Sequence, residues 1–184
     1  MEIDINQKKI TIGDKYQIFI DGQQTHHASS QLLKMLTEII LFENDRDTAI
    51  MTINKRLFLF SPKYDITRWN DQLLQFRTIS YWKLHYQCLY GDNNYEIFGH
   101  RRRKYSIYKN GIQIAWWDKE AVTWFAGDNY KIIADSDCDV DLIISFCLIV
   151  DNFSNNDHAG GSFTYSFGNI FFQAKKFDKT WLPR

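Results

Sequence analysis

Between Val140 and Val150 the chain reads Val-Asp-Leu-Ile-Ile-Ser-Phe-Cys-Leu-Ile-Val, and only Asp141 and Ser145 in that run are polar. Wound as a helix, the segment is apolar on nearly every side, so it must be enclosed by protein or lipid. It is about half the ~20 residues that a membrane span requires, which points to a protein core. The β-branched content would also suit a central strand, and periodicity does not separate the two. The acidic residues piled just ahead of the run, and its length, favour a helix, because negative charge stabilises a helix N-terminus. The expectation is a helix over about 139–151, with Val140, Leu142, Ile143, Ile144, Phe146, Cys147, Leu148, Ile149 and Val150 in the core.

Everything before that run is written in period two. Tyr16, Ile18 and Ile20 alternate with their neighbours, and Asp21-Gly22 supplies the positive-φ turn of a hairpin. Leu32 to Phe42 fits either periodicity, and Ile39-Ile40-Leu41-Phe42 tilts it toward a strand over roughly residues 35–42. Residues 49–54, 56–60, 64–68, 73–79, 83–90 and 95–98 follow as short strands, the last two separated by Gly91-Asp92-Asn93-Asn94. Asn110-Gly111 is the clearest hairpin signal; it sets Ile107 opposite Ile114 and Tyr105 opposite Trp116. Residues 120–125 and 130–133 add two strands across Gly127-Asp128-Asn129. Many short strands at close spacing mean a sandwich or barrel, not a parallel sheet.

After Asp151 the polar stretch Asn152 to Gly161 reads as a linker. The tail beyond it carries Phe163, Tyr165, Phe167, Phe171, Phe172, Phe177 and Trp181, an aromatic density that predicts packing rather than disorder. The division expected is therefore a barrel with its helix over 1–152 and a linker with a packed extension over 153–184.

Charge narrows the functional classes. Lys plus Arg and Asp plus Glu are 22 each, and a general nucleic-acid binder normally shows a basic excess. No nucleic-acid partner is expected. Cys88, Cys138 and Cys147 lack paired spacing, which fits a reducing, cytoplasmic setting. Met1-Glu2-Ile3-Asp4 has neither the basic nor the apolar region of a secretory leader. No nucleophile-elbow, phosphate-loop or dinucleotide motif is present, and Cys88 has no recognisable base partner. His26, His27, His85, His100 and His158 do not make a ligand set. The reading is a non-enzymatic chain without a cofactor.

Three stretches are candidates for binding. Arg101-Arg102-Arg103-Lys104 is the dense positive cluster. In an extended strand its side chains would alternate, so a looped form is needed to converge them on one phosphate, of a lipid head group or of a nucleic-acid backbone. The plainer account is a solvated turn. Asp135, Asp137 and Asp139 have the alternate spacing that begins a calcium loop. The pattern then requires Gly where Val140 stands and Glu where Phe146 stands, so an acidic approach to the helix, with Asp137 or Asp139 as N-cap, is the plainer account. The aromatic, partly basic tail from Phe171 to Arg184 suits a membrane interface, a partner's groove, or the barrel's own end.

The order of a strand meander followed by one apolar helix, carried by Tyr95–Gly99, Tyr105–Ala115, Asp128–Ile132 and Asp139–Asp151, resembles the tubby C-terminal-like superfamily. That group includes the tubby, LURP-one-related and phospholipid scramblase proteins. The resemblance covers roughly residues 16–151. It implies a mostly β fold: a closed or nearly closed antiparallel barrel of about a dozen strands around one central hydrophobic helix. It also implies a non-enzymatic module whose relatives touch membranes or phosphoinositides, and a calcium-binding segment near 135–139, as in scramblase-like proteins. Two functions stay open: recognition of an anionic membrane surface from the cytoplasmic side, and protein interaction or self-association through the aromatic extension.

Overall fold

The computed structural model describes residues 1–9, 14–33, 36–46, 48–56, 63–120, 129–156 and 173–184. The strands are β1 (Glu2–Lys9), β2 (Asp14–Ile20), β3 (Gln23–Leu33), β4 (Leu36–Glu43), β5 (Ala49–Arg56) and β6 (Lys63–Arg68). They continue as β7 (Leu73–Ser80), β8 (His85–Tyr90), β9 (Asn93–Gly99), β10 (Lys104–Lys109), β11 (Ile112–Glu120) and β12 (Asn129–Ala134). Each strand pairs antiparallel with the next. The sheet closes where β1 meets β12, from Glu2 opposite Ile133 to Asn6 opposite Asn129. Closure removes the edges that make open sheets prone to association.

Period-two patterning decides which side chains fill the barrel. Ile3 and Ile5, Tyr16 and Ile18, Ile39 and Leu41, Tyr64 and Ile66, Leu74 and Phe76, and Tyr95 and Ile97 all point inward and are buried. They pack on α1 (Val140–Asn156). Phe146 meets Phe76 of β7 and Tyr95 of β9, each at 5.7 Å between ring centroids. Ser145 donates to Met51 Sδ of β5 at 3.0 Å. Tyr16 of β2, Lys119 of β11 and Tyr130 of β12 reach Asp151. Contacts from staves all around the circumference place the helix inside the barrel, and Leu142 to Val150 are all buried.

Several local expectations are corrected. The helix continues through Asn156, so residues 152–156 are helical rather than linker, and the boundary at 152 falls inside the helix. Tyr64 donates to Asn152 Oδ1 at 3.4 Å, which gives the extra turn a buried polar anchor. Val140 is only partly buried, because it opens the first turn at the barrel mouth. Arg56 belongs to β5 and Glu120 to β11, and the rest of the strands expected over 56–60 and 120–125 is not described. Residues 57–60, 121–125, 157–161 and 163–172 lie outside the described residues.

At the Asn110-Gly111 turn both residues have positive φ, 51° and 82°. A bulge between Ile107 and Tyr108 then shifts the register, pairing Ile107 with Ala115 and Tyr105 with Trp117, not with Ile114 and Trp116. One extra residue flips the side chains beyond it to the other face. Trp117 thereby turns inward, stacking on Tyr105 at 4.7 Å, and Trp116 is left outside.

The outer face of β9–β11 is covered by residues 173–184. Phe177 meets Trp116 edge-on at 5.6 Å, and Trp181 Nε1 donates to Gln113 O at 3.1 Å. Arg184 donates to both carboxylate oxygens of Asp135, at 2.7 and 2.8 Å. This cover explains why Tyr105, Ser106, Ile107 and Tyr108 are buried in succession instead of alternately.

Candidate functional site

The arginine cluster sits on a short kinked turn, Arg101–Arg103, that joins β9 to β10. His100 N bonds to Lys104 O at 2.7 Å and closes the loop. Arg102 and Arg103 both take left-handed backbone, at φ 62° and 59°. For residues bearing a Cβ that conformation costs about 1–2 kcal/mol each. The looped form that convergence requires is therefore present, and all three arginines are exposed. No ion pair among the described residues engages them.

Lys104 parts from the cluster. It opens β10, pairs with Asp118 at 2.9 Å, and lies 4.9 Å over the Trp116 ring. Beneath the turn, His100 is 2% exposed, with Nε2 2.7 Å from Ser106 Oγ. Its ring also meets Phe177 at 5.2 Å, and burial pulls its pKa from 6.5 down to about 4. The imidazole is thus a neutral floor and adds nothing to the positive potential of the arginines.

The β7–β8 turn lies beside this loop. Gly99 N donates to Leu84 O at 2.8 Å, and a Cβ at Gly99 would come 2.5 Å from Leu84 Cβ, so glycine permits the approach. That turn carries Trp82, 73% exposed. The same end of the barrel therefore presents three arginines and a large amphipathic ring.

The acidic candidates have other work. Asp139 caps the helix, accepting Leu142 N at 3.2 Å, and also pairs with Arg68. Asp135 is buried and holds Arg184. Asp137 is exposed in the turn between them. Among the described residues no group of three or more His, Cys, Asp or Glu side chains is placed to hold a metal ion. No helix among them is long and apolar enough to cross a membrane.

The tail brings to the arginine turn two cations that the local pattern does not place there, Lys176 and Lys179, which line the same cleft as Arg101 and Arg102. The aromatic and basic texture of the tail was visible in the sequence. Its docking site was not, because that depends on the outward turn of Trp116.

Comparison with known proteins adds one match. The model of the LURP-one-related family matches residues 1–151. No curated protein and no solved structure matches.

Proposed function

The chain belongs to the LURP-one-related family, within the tubby-like superfamily, and from that premise we propose a non-enzymatic module that recognises anionic membrane head groups through the Arg101–Arg103 turn. The observation that carries this reading is the pair of successive left-handed arginines. Strained backbone of this kind persists where the surroundings over-determine it, and it gathers at binding sites. Here it folds into a loop three successive arginines whose side chains would alternate along an extended strand. The barrel interior, where small-ligand barrels keep their cavities, is filled by α1, which leaves binding to the outer surface. Trp82 supports the membrane form of the reading, since tryptophan favours the membrane–water interface. The protein would act as a peripheral membrane protein on the cytoplasmic face.

Juxtamembrane basic residues contribute about 1 kcal/mol each near an anionic surface, so three arginines give roughly 100-fold, reversible attachment. Sedimentation with phosphatidylserine or phosphoinositide vesicles tests it. Binding should fade as salt shortens the Debye length from ~10 Å at 0.1 M to ~3 Å at 1 M. It should vanish in R101E/R102E/R103E, which still folds because the residues are exposed. Wild-type protein that ignores anionic vesicles at low salt ends the proposal.

A second reading, protein interaction, rests on Trp69, 72% exposed, with exposed Leu73 beyond it on the same hairpin. Phe177 and Trp181, by contrast, are spent on the chain's own barrel. Light scattering of wild type against Trp69→Ser tests it: a mass above the monomer that the substitution lowers favours self-association.

A further inference from the structure

Residues 173–184 lie on the outer face of β9–β11 as an extended chain. Gln173, Lys175 and Phe177 are half-buried while Ala174 and Lys176 are exposed, the period two of a strand. The segment joins no strand ladder, and separate anchors hold it instead. The Lys175 ammonium stands 3.4 Å from the centre of the Tyr108 ring, a cation–π contact. Phe177 enters the corner between His100 and Trp116, at 5.2 and 5.6 Å. Trp181 Nε1 donates to Gln113 O at 3.1 Å. At Arg184 the barrel reads main chain and side chain together. Asp135 accepts from Arg184 N at 2.7 Å and from its Nη2 at 2.8 Å, and Ser136 N donates to Arg184 O at 2.8 Å. Spaced side-chain pockets joined to main-chain bonds are the means by which a folded surface recognises an extended peptide.

The groove and its occupant are separable on two grounds. The family model ends at residue 151, so the barrel anchors from His100 to Ser136 lie inside the domain it covers and the occupant lies beyond it. The tail also leaves Gln113 half served. That side chain is 6% exposed; its Oε1 accepts from Tyr108 OH at 2.9 Å, and its Nε2 meets no partner among the described residues. Turning the amide over only moves the deficit to the other atom. A buried donor without an acceptor costs stability, and a segment that brings an acceptor there would fit the groove better than the tail does. Charge fixes the other end. Asp135 is 1% exposed, and Arg184 is the one cation paired with it among the described residues. A segment that replaces the tail must bring its own guanidinium or leave a buried carboxylate uncompensated.

We propose that the outer face of β9–β11, ending at Asp135, is a docking groove for an extended segment of a partner protein, and that residues 173–184 are a resident occupant which that segment displaces. The partner segment carries an aromatic ring for the His100–Trp116 corner and an arginine for Asp135, spaced as Phe177 and Arg184 are here. Between them it offers a hydrogen-bond acceptor to Gln113. None of the three exposed arginines takes part, so the groove is independent of the surface reading above.

The test uses the whole chain and a fluorescent synthetic peptide of residues 173–184. F177A/W181A removes two anchors from the tail and none from the barrel, so the groove opens in a folded protein. Fluorescence anisotropy reads peptide binding. The tethered tail competes at an effective concentration on the order of mM, so the peptide should bind F177A/W181A at least about tenfold more tightly than wild type. An R184A peptide should lose about tenfold or more, since Asp135 then goes unpaired. A glutamine scan over peptide positions 178–183 should yield a sequence that outbinds the native one, its amide oxygen meeting Gln113 Nε2. No binding to F177A/W181A, equal binding to both proteins, or indifference to R184A overturns the groove. A native peptide that outbinds the whole scan makes the tail the fitted occupant and overturns displacement by a partner. In the wild-type chain, where folding is not at issue, excess isotope-labelled peptide should speed hydrogen exchange in the resident 173–184; exchange left unchanged also overturns displacement. Light scattering tests the other occupant. A wild-type dimer that F177A/W181A reduces to a monomer means that the groove is filled by a second copy, and the partner proposal falls.

Discussion

Asp151 accepts hydrogen bonds from Tyr130 and, at 3.2 Å, from Tyr16 and from Lys119, inside the barrel where its side chain has no exposure. A carboxylate in such a place is tolerable because the cation and two hydroxyls replace its water. Asp151→Ala removes the carboxylate that Lys119 and the two hydroxyls share, and breaking a buried pair costs about 3–5 kcal/mol. Urea denaturation should show that loss. The double substitution D151L/K119M should recover most of it, because a packed apolar pair avoids both desolvation penalties. A D151A protein within about 1 kcal/mol of wild type, well inside the cost of a broken buried pair, refutes the account. His100 makes a prediction of the opposite charge type. Its folded pKa is depressed from 6.5 to about 4, chiefly by burial, so the stability it contributes is full above 6.5 and is lost as pH falls toward 4. Thermal melting should decline across that window, and His100→Gln should flatten the decline. Because Phe177 packs on the imidazole, acid should also expose Lys175 to trypsin earlier in wild type than in H100Q.

At the scale of elements, α1 is the piece the barrel cannot do without. Ile144 is fully buried, and Ile144→Asp places an unpaired charge in the core at a cost of several kcal/mol, comparable to the roughly 5–15 kcal/mol that hold a domain together. The variant should be insoluble, or unfolded by circular dichroism; a soluble form with near wild-type melting contradicts an enclosed helix. Gly99→Ala is a milder probe, since its Cβ would crowd the Leu84 side chain, and overpacking of this kind costs about 1–3 kcal/mol. The helix and most strands were legible because burial imposes a local period, and that period survives in the sequence at Tyr16-Ile18 or Tyr64-Ile66. The bulge after Ile107 was not, because an added residue leaves each strand's local pattern plausible and is decided by which partner fills the core. Residues 152–156 misled for a related reason. Their polar texture mimics a linker, whereas Asn152 is helical and accepts from Tyr64 across the barrel.

For the molecule as a whole, closure and cover matter more than any single strand. The arginine run could be read in the sequence, but its lysine counterparts could not, because 173–184 reaches it only after the barrel has set Trp116 outward. Closure also collects titrating groups in one dry interior. Burial is the first cause that raises Tyr16, Tyr105 and Cys147 well above their ordinary values, and it pushes Tyr95 and Cys88 up to about 12 and Cys138 to about 11. Asp151 adds to the shift of Tyr16 and of Cys147 through its charge. Each of these groups is neutral in the folded chain and ionises near 9 or 10 once unfolded. Raised folded pKa values mean that the stability they contribute is intact below about pH 9 and is lost as pH rises through 11 and 12. The barrel should therefore show a steep alkaline transition in that window. Because Tyr16, Tyr95 and Tyr105 are enclosed by the same wall, their tyrosinate absorbance should appear together with the loss of the far-ultraviolet β signal. Complete tyrosine ionisation near 10 with the β signal intact would mean that water and hydroxide reach the interior freely, and a barrel closed around its helix does not allow that.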